Sequence, residues 1–167
     1  MKQRVVIFCI LLTSVAASLP AAEPVITTVI LVRHAEKVDA SDNPELSEIG
    51  LSRAQTLAQL LRDVPITAVY TTPFTRTRKT AGPAAAARGL QAVEVRADKD
   101  LARNTASRVR ESGAGTVLVV GHSNTIPDTI RALGFKSVPV IEDKEYDRLF
   151  ICTLIDGAAG SLVALRY

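Results

Sequence analysis

Apolar runs and helical stripes alternate along the chain after its N-terminal segment. Residues 26–32 form a β-branched apolar run typical of a strand buried on both faces, and residues 116–120 show this pattern most clearly. Residues 66–71 and 91–95 are two further predicted strands. Helices are predicted between the strands, and this alternation is typical of a mainly parallel sheet with helices on both faces.

The helical segments are predicted from polar caps and apolar spacing. Ser47 is placed as the N-cap of a helix whose apolar stripe contains Ile49, Leu57, Leu60 and Leu61. Three further helices are predicted at residues 75–87, 104–111 and 126–133. The first of these contains Gly82-Pro83, where we expect a bend because proline removes a backbone hydrogen bond.

The C-terminal part of the chain is predicted to form a β-hairpin. Two apolar runs, residues 149–155 and 161–166, are separated by the glycine-containing segment Gly157–Gly160, where we place the turn. A hairpin requires at least one antiparallel pair. The predicted fold is therefore α/β, with three layers (α/β/α), a mainly parallel sheet and an antiparallel strand.

Composition narrows the class of protein. The chain has 167 residues, 47% of them hydrophobic and 22% charged, which predicts one globular domain. The net charge of +3 includes Lys2 and Arg4 of the N-terminal segment. The remaining charges form no basic cluster, so we expect no nucleic-acid partner.

The N-terminal segment has the pattern of a secretory signal peptide. Its two basic residues precede an apolar run over residues 5–15, and small residues follow. We therefore predict a signal peptide over residues 1–22, cleaved between residues 17 and 22, and a single domain over residues 23–167. The alternative is an uncleaved membrane anchor, although the run is short for a span. We expect export to the periplasm or medium, without stable membrane insertion after cleavage.

The chain contains only two histidines, and each of them ends a predicted strand. His34 follows the first strand and His122 follows the strand at residues 116–120. In an α/β sheet such strand ends form the ligand-binding edge. Arg33 adjoins the first histidine, and Arg76 lies in the first turn of a helix that begins at the same edge. Two arginines, two histidines and helix N-terminal amides predict a phosphate site, whereas this set does not match the ligands of zinc or calcium.

Four segments containing these residues resemble motifs of one family. They are Leu31-Val32-Arg33-His34-Ala35-Glu36, Leu46-Ser47-Glu48-Ile49-Gly50, Thr72-Pro73-Phe74-Thr75-Arg76-Thr77-Arg78-Lys79-Thr80-Ala81 and Val120-Gly121-His122-Ser123. In this order they resemble the histidine phosphatase superfamily, the phosphoglycerate mutase-like group. The resemblance covers nearly the whole predicted mature chain and implies the three-layer fold of that group.

The resemblance also implies a role for each residue of the predicted site. His34 would attack phosphorus and become a phosphohistidine, while Arg33 and Arg76 would bind the phosphoryl oxygens. His122, when protonated, would donate a further hydrogen bond to the same group. The resemblance implies no metal and no cofactor.

The residues after the second histidine and the proton donor remain open. Ser123 and Asn124 are either phosphate ligands or caps of the following helix. Mutase-like members carry an Asn where this chain has Ala40, and a proton-donating Glu in a loop that corresponds here to residues 96–104, which contain no Glu. The candidate donors are Asp98, Asp100 and Glu36, and the other possibility is that no dedicated acid exists.

These observations predict an exported, metal-independent phosphatase acting on phosphomonoesters or phosphoramidates. We expect its partner to be a phosphorylated small molecule or an envelope component. A phosphoramidate or another good leaving group needs little general-acid help, whereas an alkyl phosphate benefits from it. The alternatives are a phosphate- or phosphosugar-binding module without turnover, and a phosphomutase, which Ala40 and the missing Glu disfavour.

Overall fold

A computed structural model describes residues 22–138 and 140–167 of the chain. The predicted signal peptide therefore lies, up to residue 21, outside the described residues. Within the described residues, no helix has the length and apolar character needed to cross a membrane.

Six strands form one mixed sheet, and four helices connect them. In chain order the elements are β1 (Ile26–Arg33), α1 (Glu48–Leu60), β2 (Ile66–Thr71), α2 (Thr75–Ala86), β3 (Val93–Glu94), α3 (Leu101–Glu111), β4 (Gly115–Gly121), α4 (Thr125–Ala132), β5 (Arg148–Ile155) and β6 (Ala158–Arg166). The sheet order is β3-β2-β4-β1-β5-β6. The first four of these strands are parallel, while β5 is antiparallel to both β1 and β6. This confirms the predicted α/β class with its mainly parallel sheet.

Both faces of the central strands are buried, as their β-branched runs predict. Successive side chains of a strand point to opposite faces. Accordingly, Ile30 and Val32 of β1 belong to the core layer that includes α1 and α2 residues, whereas Val29 and Leu31 belong to the layer of α3 and α4. The sheet is therefore the middle of three layers. Because no polar side chain is needed within the strands, the polar residues concentrate at their ends.

Helix α1 begins as predicted, and half of its predicted apolar stripe is buried. Leu57 and Leu61 are buried, whereas Ile49 and Leu60 are 66% and 54% exposed. The rest of the buried side contains Gly50 and Ala54. Small residues are needed there because α1 passes close to the chain that follows β1, and a Cβ on Gly50 would lie 2.2 Å from the carbonyl oxygen of Glu36. Two of the four stripe positions were predicted wrongly because the prediction counted large apolar side chains only.

Two other elements differ in extent from their predictions. The strand predicted at residues 91–95 is reduced to Val93–Glu94, and the helix predicted from residue 104 begins at Leu101. Helix α2 includes Pro83 and continues to Ala86, so proline does not end it. The Cys152 side chain is fully buried in β5.

The C-terminal hairpin is present, but the predicted position of its turn is wrong. Ile155 pairs with Ala158, so the turn consists of Asp156 and Gly157 alone. Both residues have positive φ angles, 52° and 76°, the requirement of a two-residue turn that matches the strand twist. Asp-Gly is a strong signal for such a turn, and the predicted segment Gly157–Gly160 included its glycine but not its aspartate.

Candidate active site

The parallel register brings the two histidines together. Arg33 of β1 lies opposite Gly121 of β4, so both strands end at the same level of the sheet. The backbone N–H of His34 then donates to the carbonyl of Gly121 at 2.8 Å, extending the pairing by one step. As a result, the ring centroids of His34 and His122 lie 5.3 Å apart in an edge-on arrangement.

The His34 ring is neutral, and one of its nitrogens has no hydrogen-bond partner among the described residues. Its Nδ1 lies 2.8 Å from the carbonyl oxygen of Ala35. A carbonyl only accepts, so Nδ1 carries the proton and Nε2 keeps its lone pair. Burial lowers the pKa of His34 to about 3, and the positive charges of His122, Arg33 and Arg76 act in the same direction. This is the state a nitrogen nucleophile requires.

The chain directly after His34 is tied to helix α2. The backbone N–H of Ala35 donates to the hydroxyl of Thr80 at 2.9 Å, and that hydroxyl donates to the carbonyl of Arg76 at 2.7 Å. Thr80 is fully buried. The position of the His34 ring is therefore coupled to the helix that carries the second arginine of the site.

Arg33 is held by the segment that precedes β5. Its Nη1 donates to three backbone carbonyls, those of Glu142, Asp143 and Glu145, at 2.9, 2.8 and 3.3 Å. Its guanidinium lies 4.2 Å from the ring centroid of Tyr146. The Nε atom of Arg33 is buried and has no hydrogen-bond partner among the described residues. One end of the guanidinium is thus anchored, while a donor remains for a ligand.

The segment that holds Arg33 is ordered by its own charges. The Glu145 carboxylate accepts from the backbone N–H of Glu142 at 3.0 Å and pairs with Arg166 and Arg148. These contacts hold the pKa of Glu145 below its usual range, with the Glu142 backbone hydrogen bond the main cause. The sequence analysis did not find the carbonyls of residues 142–145, because backbone groups leave no signal in side-chain identity.

Arg76 is placed in the first turn of α2, as predicted. Its Nη1 donates to the carbonyl of Asp42 at 3.0 Å, and its guanidinium lies 4.3 Å from the ring centroid of Phe74. Its Nε is also buried without a partner among the described residues. Burial lowers the pKa of Arg76, although an arginine stays charged at neutral pH. Two incompletely satisfied guanidinium groups therefore border the histidines, an arrangement suited to a phosphoryl group.

The protonation state of His122 depends on whether an anion is bound. Its Nε2 lies 3.0 Å from the hydroxyl of Thr72. Burial lowers the pKa of His122 to about 4, and the charges of Arg76, Arg33 and Lys37 lower it further. Without an anion the ring is therefore neutral at physiological pH. A bound phosphoryl group brings negative charge and favours its protonation.

The predicted phosphate ligands line one open cavity of about 430 Å³. Its wall contains all six of them: Arg33, His34, Arg76, His122, Ser123 and Asn124. Lys37 and Phe74 border the same space. Asn124 occupies the N-cap position of α4 but makes no capping hydrogen bond, so its amide remains available to the cavity.

The three candidate proton donors are placed differently. Asp98 borders the cavity, on the exposed segment between β3 and α3. Asp100 does not line it and pairs with Arg103 at 3.3 Å. Glu36 also lies outside the lining, where the Arg53 guanidinium binds its carboxylate at 2.7 Å and holds the pKa of this carboxyl below its usual range despite partial burial.

The donor set of the cavity is that of an anion site. Among residues 22–138 and 140–167, no group of three or more His, Cys, Asp or Glu side chains is arranged to hold a metal ion. The side chains that converge on the cavity are arginine, lysine and histidine, with one aspartate at the rim.

Comparison with known proteins agrees with the resemblance read from the motifs. Residues 29–103 match the model of the histidine phosphatase superfamily (branch 1), a segment that includes Arg33, His34 and Arg76 but ends before His122. No curated protein sequence matches the chain significantly.

Solved structures of low sequence identity share the fold. The protein histidine phosphatase SixA complexed with tungstate is 18% identical, with a TM-score of 0.68 over 83% of this chain and 96% of that one. A phosphoserine phosphatase from Entamoeba histolytica is 15% identical, with a TM-score of 0.62 over 84% and 97%. A phosphoglycerate mutase from Bacillus anthracis str. Sterne is 15% identical, with a TM-score of 0.62 over 87% and 94%. These comparisons confirm the predicted three-layer, phosphoglycerate mutase-like fold.

Proposed function

Since the chain matches the histidine phosphatase superfamily in both its family model and its fold, we propose that it is an exported, metal-independent phosphatase. It hydrolyses phosphomonoesters or phosphoramidates through a phosphohistidine on His34. The observation that carries this proposal is the neutral His34 ring, whose Nε2 has no hydrogen-bond partner among the described residues and which lines the same cavity as two anchored arginines.

In the first step, Nε2 of His34 attacks phosphorus. The new N–P bond forms as the P–O or P–N bond to the leaving group breaks, and the leaving group takes the bonding electron pair. Arg33 and Arg76 stabilise the charge that spreads over the phosphoryl oxygens. The hydrogen bond from Nδ1 to Ala35 keeps the ring oriented and stabilises the positive charge that develops on it.

In the second step, water attacks the phosphohistidine and the N–P bond breaks. Inorganic phosphate leaves, and His34 returns to its neutral form. The same two arginines serve both steps because the phosphoryl group stays in place while its partners exchange. An arginine pair of this kind does the work that a metal ion does in other phosphatases.

A non-hydrolysing phosphate-binding module is the second candidate. It is favoured by one observation: Asp98 is the single carboxylate among the lining residues, and it lies at an exposed rim. The other polar groups of the lining can bind phosphate without hydrolysing a phosphate ester. The phosphomutase alternative has no residue in the described chain that adds support to it.

The test is hydrolysis of an aryl phosphate by the purified protein in the presence of EDTA. We expect release of the phenol, an acid-labile phosphoryl adduct trapped on the wild type, and loss of about 10⁴-fold or more in the rate for His34→Ala. The matched control is Arg62→Ala, an exposed residue remote from the cavity lining, which should keep wild-type turnover. Phosphate binding without phenol release from any activated ester would favour the binding module.

Export is the part of the proposal that rests on the sequence alone. The basic, apolar and small-residue regions of residues 1–22 support it. The intact mass of the protein recovered from the producing cell should correspond to cleavage between residues 17 and 22. A full-length mass in the membrane fraction would support the anchor alternative instead.

A further inference from the structure

The His122 ring contacts the first of two neighbouring buried threonine hydroxyls, that of Thr72 at the end of β2, and the second belongs to Thr77 of α2. The hydroxyl of Thr72 is 3.0 Å from Nε2 of His122 and 2.9 Å from the hydroxyl of Thr77. Thr77 is fully buried, and Thr72 is 3% exposed. The two side chains and the ring thus form a continuous row of polar atoms, none of which the proposed mechanism uses directly.

The direction of this row is set by its far end. The Thr77 hydroxyl lies 3.0 Å from the carbonyl oxygen of Thr72 and 2.8 Å from that of Phe74. A hydroxyl has one proton and a carbonyl only accepts, so the Thr77 proton points to these carbonyls. No backbone N–H of the described residues donates to the Thr72 carbonyl, which would lose its only partner if the proton turned away.

The remaining protons follow from this assignment. The contact between the two hydroxyls must be donated by Thr72, because Thr77 has already used its proton. Thr72 then has no proton left for the ring, so the contact at 3.0 Å must be donated by Nε2–H of His122. In the neutral ring this leaves Nδ1 with a lone pair.

We infer that Thr72 and Thr77 are positioning residues that hold the ring proton of His122 on Nε2 and make Nδ1 the atom that meets the phosphoryl group. Nδ1 has no hydrogen-bond partner among the described residues, and the ring borders the cavity. The role of Nδ1 toward a phosphoryl group rests on the proposed function, whereas the tautomer itself does not.

This arrangement has a consequence for binding. A lone pair on Nδ1 repels a phosphate oxygen, so a dianion binds together with one proton, which Nδ1 takes and donates to the phosphate. The charged or titratable groups around the ring are Arg33 and His34 of the β1 end, Lys37 of the following loop and Arg76 of α2. All of them remain in Thr77→Val, the variant whose proton uptake is compared with that of the wild type, so a change of proton uptake reports the hydroxyl row.

The tautomer is measured by ¹⁵N NMR of the wild-type protein near pH 7.5. The chain has only two histidines, and His34→Gln assigns the signals. We expect His122 to carry its proton on Nε2. In Thr77→Val the Thr72 proton is released from its acceptor and turns to the ring, so the His122 proton should move to Nδ1. Thr77→Ser should restore the wild-type signals, and Thr105→Val, which removes another buried hydroxyl in α3, should leave them unchanged.

Proton uptake is measured by the affinity for inorganic phosphate at two pH values above 7.5. We expect the wild-type Kd to weaken by up to about tenfold per pH unit, and that of Thr77→Val to change much less. A His122 proton on Nδ1 in the wild type, or an unchanged tautomer in Thr77→Val, would overturn the inference. If Thr77→Val does not fold, the wild-type spectrum alone decides. A correct tautomer in a protein that hydrolyses nothing would contradict the proposed function and leave the inference intact.

Discussion

The two sides of the cavity differ in how firmly their side chains are held. On the phosphate side, Arg33 donates to three backbone carbonyls, His34 is buried, and His122 is bonded through a row of threonine hydroxyls. On the opposite side, Asp98 lies on an exposed segment and bonds only to its own neighbours, Arg96 and the Asp100 backbone. The side chains proposed to bind the phosphoryl group are thus held firmly, while the space proposed for the group attached to it is open.

This difference bears on which leaving groups the site can serve. A general acid must be held within hydrogen-bond reach of the leaving group. Asp98 is exposed and pairs with Arg96 at 3.4 Å, so its carboxylate is held by its own segment and not by the cavity wall. An open rim without a held acid suits phosphoryl groups whose leaving group departs without much protonation, which is the case for phosphoramidates and aryl phosphates.

The largest expected effect comes from a comparison of two variants, with one arginine replaced on each side of the cavity. Arg33→Ala should lower kcat/KM for an aryl phosphate by about 10²–10³-fold, because an anchored donor to the phosphoryl oxygens is lost. Arg96→Ala removes a guanidinium that is 87% exposed on the rim, and it should change kcat/KM by less than about twofold. Steady-state kinetics of the two variants provide the comparison. Equal losses of kcat/KM in both variants would show that the side chains of the rim are held as firmly as those of the phosphate side.

The phosphate side could be predicted from the sequence because its side chains follow strand ends. In a parallel sheet the ends of β1, β2 and β4 must share an edge, so Arg33, His34 and His122 meet wherever the strands are recognised correctly. The carbonyls that hold Arg33 could not be found this way, since they belong to a loop more than a hundred residues later in the chain. Long-range backbone contacts depend on the path of the loop, not on the residue types in it.

The same limit applies to the faces of helices. Ile49 appeared to be a core residue by spacing, yet α1 turns its glycine and alanine toward the chain after β1. Close backbone approach favours small side chains, and a small side chain has little hydrophobic signal of its own. The row formed by Thr72 and Thr77 was missed for a similar reason, because threonine fits equally well as a strand or helix residue without a bonding role.

The next effect uses pH to report the buried histidines. Both have folded pKa values lowered from 6.5, to about 3 for His34 and about 4 for His122, mainly by burial. The unfolded chain therefore binds more protons below pH 6.5, so this stabilisation is complete above that pH and is lost as the pH falls toward the folded values. Between about pH 7.5 and 5, each histidine should reduce the free energy of unfolding by about 2 kcal/mol.

The matched variants for this experiment are His34→Gln and His122→Gln, with urea denaturation at both pH values. Because the chain has only two histidines, each substitution should remove about half of the loss, and the double variant nearly all of it. If the free energy of unfolding of the double variant still falls as much between the two pH values, groups outside the phosphate side control stability in this range.

A smaller effect tests whether the close contact between α1 and the segment after His34 supports the phosphate side. In Gly50→Ala the new Cβ would meet the Glu36 carbonyl at 2.2 Å, which forces the segment after His34 to move. We expect a loss of about 1–3 kcal/mol in the free energy of unfolding together with weaker phosphate binding. Gly82→Ala in α2 is the control, because nothing lies within 4 Å of its Cβ position. That change should stabilise the protein by about 0.5–1 kcal/mol and leave phosphate binding unchanged.

The smallest expected effect concerns the rim itself. Asp98→Asn keeps the shape of the side chain and removes its ability to transfer a proton. With an aryl phosphate or a phosphoramidate, kcat should stay within about threefold of the wild type, because such leaving groups need little protonation. The same variant should be compared on an alkyl phosphate with Asp100→Asn, which alters a carboxylate outside the cavity lining.

The alkyl substrate decides what the rim does. If Asp98 is only a solvated loop residue, both variants keep the low wild-type rate on the alkyl phosphate. A loss confined to Asp98→Asn, absent with the aryl substrate, would show that substrate binding buries this aspartate and turns it into the acid. The contrast between a firmly held phosphate side and an open rim would then hold for the free protein alone. In the complex, the leaving group of the substrate would itself cover Asp98 and form the other side of the site.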